Sequence, residues 1–349
     1  MKLLTSPKPI FVVLCLVLTF PSLAVSEEVE RSTSLNIEGT YYFDDNKGYG
    51  VSDGGFAPIS YTPVDNIGSF PAPDDGRDLG SGWGAAEIQA LLTHRIVVPF
   101  LTGTGALTSG NNVTFAITGA LTPVSTRLEL RATLTPIAFL NVFAGAMLGT
   151  GWDIGLFNGM GLNADGSGVP ESASFQGVVL ESWIGGTFQF DLAALVPGDW
   201  THVVTLVRPK LQYACFSGAD KEEAWMWEVD NGENFNGFMF YGTYFLGYQM
   251  PLVLNTVGVL LETKQNLGYV KDLSTMDSGG WGSDHVRITV GPVFNFTLSE
   301  SSSLAVLFQF RRERLYDGTS IFANYYKNRH AVGTYWDFYR IAFSYGLKL

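Results

Sequence analysis

From Ser34 to the end of the chain, apolar and polar positions alternate with a period of two. The alternation runs in segments of roughly 10 to 14 residues, each broken by turn residues. Side chains in a strand point to opposite faces in turn, so each segment predicts a strand with one oily and one hydrophilic side. The last segment is the clearest: Ile341, Phe343, Tyr345, Leu347 and Leu349 share one face, and Arg340, Ala342, Ser344, Gly346 and Lys348 the other. Leu304, Val306, Phe308 and Phe310 oppose Ala305, Gln309, Arg311 and Glu313. Val203, Val207 and Leu211 oppose His202, Arg208, Lys210 and Gln212. Ile88, Leu92, Ile96 and Val98 oppose Gln89, Thr93 and Arg95. Between Phe238 and Met250 both faces are rich in aromatics, and the pattern there leaves the facing open.

Repeated along the chain, the pattern predicts an all-β fold: a transmembrane, antiparallel, up-and-down β-barrel of about twelve strands (roughly 10 to 14). Ten strands follow if Asn111 to Leu121 is a plug or a turn. The connections alternate in length. Thr135 to Ile137, Pro251-Leu252 and Ser299 to Ser302 are short, and Leu192 to Trp200 is moderate. Asp44 to Ala85, Gly151 to Phe175, Ser217 to Asn236, Gly268 to Asp284 and Gly318 to Trp336 are long. Short periplasmic turns and long outer loops are expected of such barrels, and both chain ends then fall on the periplasmic side. Phe100 to Gly110 and Leu121 to Ser125 fit this alternation least well. Trp152, Trp183 and Trp336 are expected near outer strand ends and Trp200 near an inner one, as an interfacial girdle.

Residues 1-26 read as a signal peptide, with Lys2 and Lys8 giving a basic start, an apolar run from Phe11 to Phe20, and small-x-small sites at Ser22 to Ala24 and Ala24 to Ser26. Residues 27-349 then form a single barrel domain that retains one cysteine, Cys215. The remaining sequence has no continuous apolar run long enough for a spanning helix, so any passage through lipid is by strands. Signal peptide, alternating segments, loop asymmetry and terminal strand together resemble a bacterial outer-membrane β-barrel protein. The resemblance is one of class and covers nearly all of residues 27-349. It implies a place in the cell outer membrane, contact with outer-membrane lipid, and recognition of the strand Ile341 to Leu349 by barrel assembly machinery. Leu349 replaces the usual final aromatic.

Composition agrees. Charged residues make up 15% of the chain, against about 25% in soluble domains, and there are 40 Gly and 25 Phe. The formal net charge is -12, and its distribution matters more than its size. Acidic residues gather in the outer loops, at Asp44, Asp45, Asp53, Asp65, Asp74, Asp75 and Asp78, and at Asp220, Glu222, Glu223, Glu228, Asp230 and Glu233. That argues against nucleic acid as a partner. Basic residues fall on the polar faces of strands. Arg95, Arg127, Arg131, Arg208, Lys210, Arg287, Arg311 and Arg340 are the candidate pore-lining set, with Lys264 beside them. Two readings of this face stand side by side. It could line a narrow, porin-like channel for small anionic solutes. Alternatively, Glu129, Glu181, Asp191, Glu262 and Glu313 could pair with it and pack the lumen shut, leaving a structural or surface-interaction barrel that works through its loops.

No enzyme, metal or cofactor is expected. The four histidines, His94, His202, His285 and His330, lack paired metal spacing. The faint hydrolase candidates are Ser283-Asp284-His285 and His330 with Asp337 and Asp317.

Overall fold

The computed structural model describes residues 29–42, 58–59, 85–152, 154, 159–162, 171–227, 234–317 and 330–349. The signal-peptide segment, the acidic positions from Asp44 to Asp78, and Glu228, Asp230 and Glu233 lie outside them. Among the described residues twelve long strands form one sheet: β1 Glu30–Tyr42, β2 Ala85–Pro99, β3 Asn112–Leu121, β4 Ser125–Ile137, β5 Leu140–Gly151 and β6 Val179–Asp191, then β7 Val203–Phe216, β8 Gly237–Gln249, β9 Leu254–Asn266, β10 Arg287–Thr297, β11 Ser302–Tyr316 and β12 Ala331–Lys348. Each pairs antiparallel with its neighbours in sequence. β1 pairs with both β2 and β12, so the sheet closes on itself and no long strand is left at an edge. No helix of the described residues is long and apolar enough to cross a membrane.

The two faces of this cylinder are the reverse of a soluble protein's. Leu92, Ile117, Ile184, Leu246 and Val259 are about half exposed on the outside, while Gln89, Thr93, Gln212, Gln309 and Arg311 are buried inside. Exposed large apolar side chains in register around a closed sheet need a non-aqueous surround. Only closure lets strands bring their backbone into such a surround with every amide paired. The period-two pattern is thus fulfilled strand by strand.

The connections 100–111, 138–139, 192–202, 250–253 and 298–301 lie at the end that also holds residues 29 and 349. The other end carries the longest connections and the three-residue turn 122–124. The segment Asn111 to Leu121 is strand β3 rather than a plug, which fixes the count at twelve. The long 100–111 connection is a built turn. Asn111, 3% exposed, donates its side-chain amide to the carbonyls of Leu101 and Pro136 and ties this connection to the next. Pro136 itself lies within β4, so the following turn falls at residues 138–139 rather than at Thr135 to Ile137.

The strands are unequal. β12 has 18 residues, about 60 Å of chain at ~3.3 Å per residue. Tilted by about 45°, it still overshoots a hydrocarbon layer of ~30 Å. The outer ends of β11 and β12 therefore stand above the membrane as a collar.

Loops from the long-connection end turn back into the mouth. Met160–Leu162, Glu171–Ser172 and Trp225–Trp227 form a separate three-stranded sheet. Met160 and Trp225 are almost fully buried against the inward side chains Phe143, Met147, Trp183, Phe216 and Met239. Trp227 lies flat over Gly149, where an added Cβ would sit 2.8 Å from its ring. A second cluster joins Ala224, Phe235, Val270 and Trp281 to Tyr316 and Ala331. The Trp girdle is correspondingly smaller than expected. Trp200 and Trp336 are each 54% exposed, but Trp183 points inward at 8%, because its phase along β6 is opposite to that of exposed Ile184. Trp152 folds onto the β3–β4 turn, donating to the carbonyl of Pro123 and stacking on Phe175.

Candidate functional site: the inner wall of the barrel

A barrel of about 8 strands is filled by its own side chains and one of 16 to 18 leaves an aqueous channel. At twelve strands the inward residues and the loops decide. Every candidate basic residue falls on the inward phase of its strand, opposite exposed apolar neighbours: Arg95 beside exposed Leu92 on β2, Arg127 and Arg131 flanking Leu128 and Leu130 on β4, Arg208 and Lys210 between Val207 and Leu211 on β7. Arg287, Arg311 and Arg340 occupy the corresponding phase on β10, β11 and β12, where Arg340 is paired with Gln309 across the strands. They do not share one environment.

On the β9–β12 arc four arginines share three carboxylates. Arg340 donates from Nε to Gln309 Oε1 at 2.6 Å, and Gln309 donates to Glu262 Oε2 at 2.7 Å. Arg340 itself stands 3.6 Å from that carboxylate. Toward the outer end, Glu313 takes Arg287 and Arg314 at 3.0 Å each and Arg311 at 3.9 Å, while Arg311 also reaches Asp337 at 3.2 Å. Arg314 stacks on Trp281 and donates to its carbonyl, so Glu313 helps fasten the loop 267–286 to β11, together with contacts from Arg312 and Tyr316. A cavity of about 30 Å³ remains between Lys264, Asn266, Gly282, His285, Arg287 and Arg314, room for a water-sized guest. At the β12–β1 seam a second chain of donors and acceptors runs inside the wall: Ser344 to Glu38 at 3.3 Å, Gln89 to Glu38 at 2.7 Å, and Arg127 to Gln89 at 2.5 Å.

The β4–β8 arc differs. Arg131 pairs with Glu129 at 2.8 Å. Arg208 lies 4.5 Å above the ring of Phe143. Lys210 lies 4.3 Å above Tyr241 and 5.8 Å from Trp183, and donates to Gln212 at 2.6 Å. Among the described residues neither Arg208 nor Lys210 has a carboxylate within ion-pair distance. Gly145 and Gly185 make this possible. A Cβ on either would collide with the ring of Trp183 or Phe143, at 2.6 and 2.5 Å, so the rings lie flat on the wall and the cations rest on them.

Ser283, Asp284 and His285 are each engaged within or beside their own loop. Ser283 donates to the carbonyl of Lys271, Asp284 accepts from the amide of Met276, and His285 contacts the carbonyl of Arg312, so all three shape the loop. Burial pushes the His285 imidazole down to about 4, against the pull of Glu313. Asp337 is engaged by Arg311. No group of metal-ligating side chains occurs among the described residues.

Sequence reasoning placed the basic residues on the inward phase but passed over Gln89, Gln309, Glu38 and Ser344, which join several of them. Their signal was their inward phase in the alternation. The inward Trp residues of the loops carried no such signal, because they lie outside the strands.

A closed twelve-stranded sheet with an apolar exterior and a charged interior defines a β-barrel of the outer-membrane class. No family model matches the chain, and no curated protein matches it. Among solved structures, the chain is similar to the outer membrane channel DcaP of Acinetobacter baumannii, with a TM-score of 0.33 and 8% identity over 92% of this chain and 97% of that one. It is also similar to a mutant of the Rh. blastica porin, with a TM-score of 0.25 and 8% identity over 92% of this chain and all of the other. The class assignment stands on the chain's own strand ladder and reversed faces.

Proposed function

We propose that this chain forms a narrow passive channel through an outer membrane, admitting small solutes with a preference for anions. The carrying observation is that Arg208 and Lys210 sit on the inner wall without carboxylate partners, while Arg287, Arg311, Arg314 and Arg340 of the opposite arc each reach a carboxylate. Exposed Arg95, also without an ion pair among the described residues, adds a cation toward the periplasmic end. Selection then follows from fixed positive charge along the path, as charged rings select in other pores. No covalent step is involved. Purified protein in a planar bilayer under a potassium chloride gradient should conduct, with a reversal potential on the chloride side. Cation preference would overturn the ionic selectivity, and absence of conductance would overturn the channel.

A second reading has its own support. The loops around Trp225 and Trp281 fill much of the outer mouth, as expected of a closed barrel that works through its surface loops. Silence in the bilayer would favour it. In either case strand β12, ending in Ile341 to Leu349, is the segment we propose is read by the assembly machinery. A lipid or peptide hydrolase is the least supported alternative, and unchanged turnover assays in His285→Ala and His330→Ala would remove it.

A further inference from the structure

The inner wall over β4–β8 has more donors than acceptors, and the excess is concentrated in one place. In the strand register Gly145 faces Arg131 on one side and Trp183 on the other, and Trp183 faces Gln212. One residue pair toward the periplasm, Phe143 faces Gly185, Gly185 faces Lys210, and Lys210 faces Tyr241. Arg208 follows on the same face. These neighbouring rows place Arg131, Trp183, Arg208 and Lys210 together.

Their donor groups are unevenly used. Arg131 Nε and Trp183 Nε1 are buried with no hydrogen-bond partner. The guanidinium of Arg208 has the Phe143 ring beneath it and no hydrogen bond among the described residues. Lys210 spends one of its three protons on Gln212. Charges face this group from the packed strands as well. Glu129 is held by Arg131, and Glu181 acts on Lys210 from beyond ion-pair distance. Arg131, Arg208 and Lys210 repel one another. Buried donors without acceptors cost free energy, and like charges gathered in excess of their counter-charge add to it. Both costs are relieved by a ligand rich in acceptors and negative charge.

We propose that Arg208 and Lys210, backed by Arg131 and Trp183, form a binding site for a phosphate group within the lumen. The donors set the ligand class. A carboxylate offers two oxygens in one plane, which a single Arg fork satisfies. Here a planar guanidinium and an ammonium stand two residues apart on β7, with N–H groups of β4 and β6 in the wall beside them, and a tetrahedral dianion suits that spread of donors. The site rests on the channel reading only for its role in transport. It would hold a phosphate-bearing solute midway and make passage saturable.

Binding and conduction are measured separately. Inorganic phosphate is titrated calorimetrically into the detergent-solubilised protein at low ionic strength. The comparison proteins are the double variant Arg208→Gln/Lys210→Gln and the outer-loop variant Lys221→Gln, with heat-dependent gel mobility confirming that each barrel is closed. The site predicts one phosphate per chain, at least tenfold weaker in the double variant and unchanged in Lys221→Gln. A wild-type protein that binds no phosphate, or a double variant that binds as well as wild type, overturns it. Glycerol 3-phosphate is titrated alongside, and tighter binding than inorganic phosphate assigns the site to esters. In bilayers, millimolar phosphate should reduce chloride current through the wild type and not through the double variant. Phosphate binding without conductance keeps the site and sinks the channel. Conductance with no phosphate binding sinks the site and keeps the channel.

Discussion

At the scale of single residues, Glu313 has the most at stake. Three guanidinium groups and a histidine converge on a carboxylate that is 8% exposed as a residue. Removing one partner of a buried ionic network leaves the others uncompensated, at a cost of roughly 3 to 5 kcal/mol. Glu313→Gln should therefore lower the urea midpoint of the folded barrel and open the loop 267–286 to protease, read by limited proteolysis. A loop as resistant as wild type would remove Glu313 from that role. His285 beside it is held neutral, with its proton affinity lowered from the usual 6.5 to about 4. A depressed histidine contributes stability that is complete above the unfolded value and is lost as pH falls toward the folded one. Stability should thus decline between about pH 6.5 and pH 4 by roughly 3 kcal/mol, and His285→Asn should flatten that slope in urea titrations. Gly145 is a steric case. Gly145→Val would drive a side chain into the Trp183 ring, at an overpacking cost of about 1 to 3 kcal/mol. The lower urea midpoint should come with a shift in tryptophan emission, and unaltered emission would argue against the stacked arrangement.

At the scale of elements, the strands were legible and the loops were not, for a physical reason. A strand between lipid and lumen has a side-chain code of two, and a register slip by one would turn Ile184 inward and Trp183 outward. The alternation therefore carried the facing of the strands, including β3, where the connection lengths were least regular, but not of β8, whose aromatics on both faces left it open. It settled the basic set too, since Arg208 between Val207 and Leu211 can face only one way. Loops have no such constraint. Nothing periodic marks Met160–Leu162 or Trp225–Trp227 as a sheet folded into the mouth, and only long-range packing on Met147 and Phe216 puts them there. Trp183 was misplaced because a girdle was inferred from residue type and approximate height, whereas its strand phase already assigned it inward. Pairing within the wall was equally hidden, since Gln309 bridges Arg340 and Glu262 across three strands that are distant in sequence.

At the scale of the whole molecule, the cylinder divides into an arc whose arginines reach carboxylates and an arc where Arg208 and Lys210 rest on aromatic rings. The bilayer and titration experiments probe that division, because loss of Arg208 and Lys210 should alter ion preference while leaving β9–β12 intact. Closure itself has a kinetic consequence. Its last seam joins β1 to β12 through nine residue pairs from Ser34 with Lys348 to Tyr42 with Arg340, and the Ser344–Glu38 contact across it spans 306 positions of chain. Every other pair in the wall joins strands adjacent in sequence and can zip locally, whereas this one needs the two ends of a long ribbon to find each other. The final stave is thus the slow one, and until it is driven home the half-made cask keeps two raw sides able to grip a neighbour's.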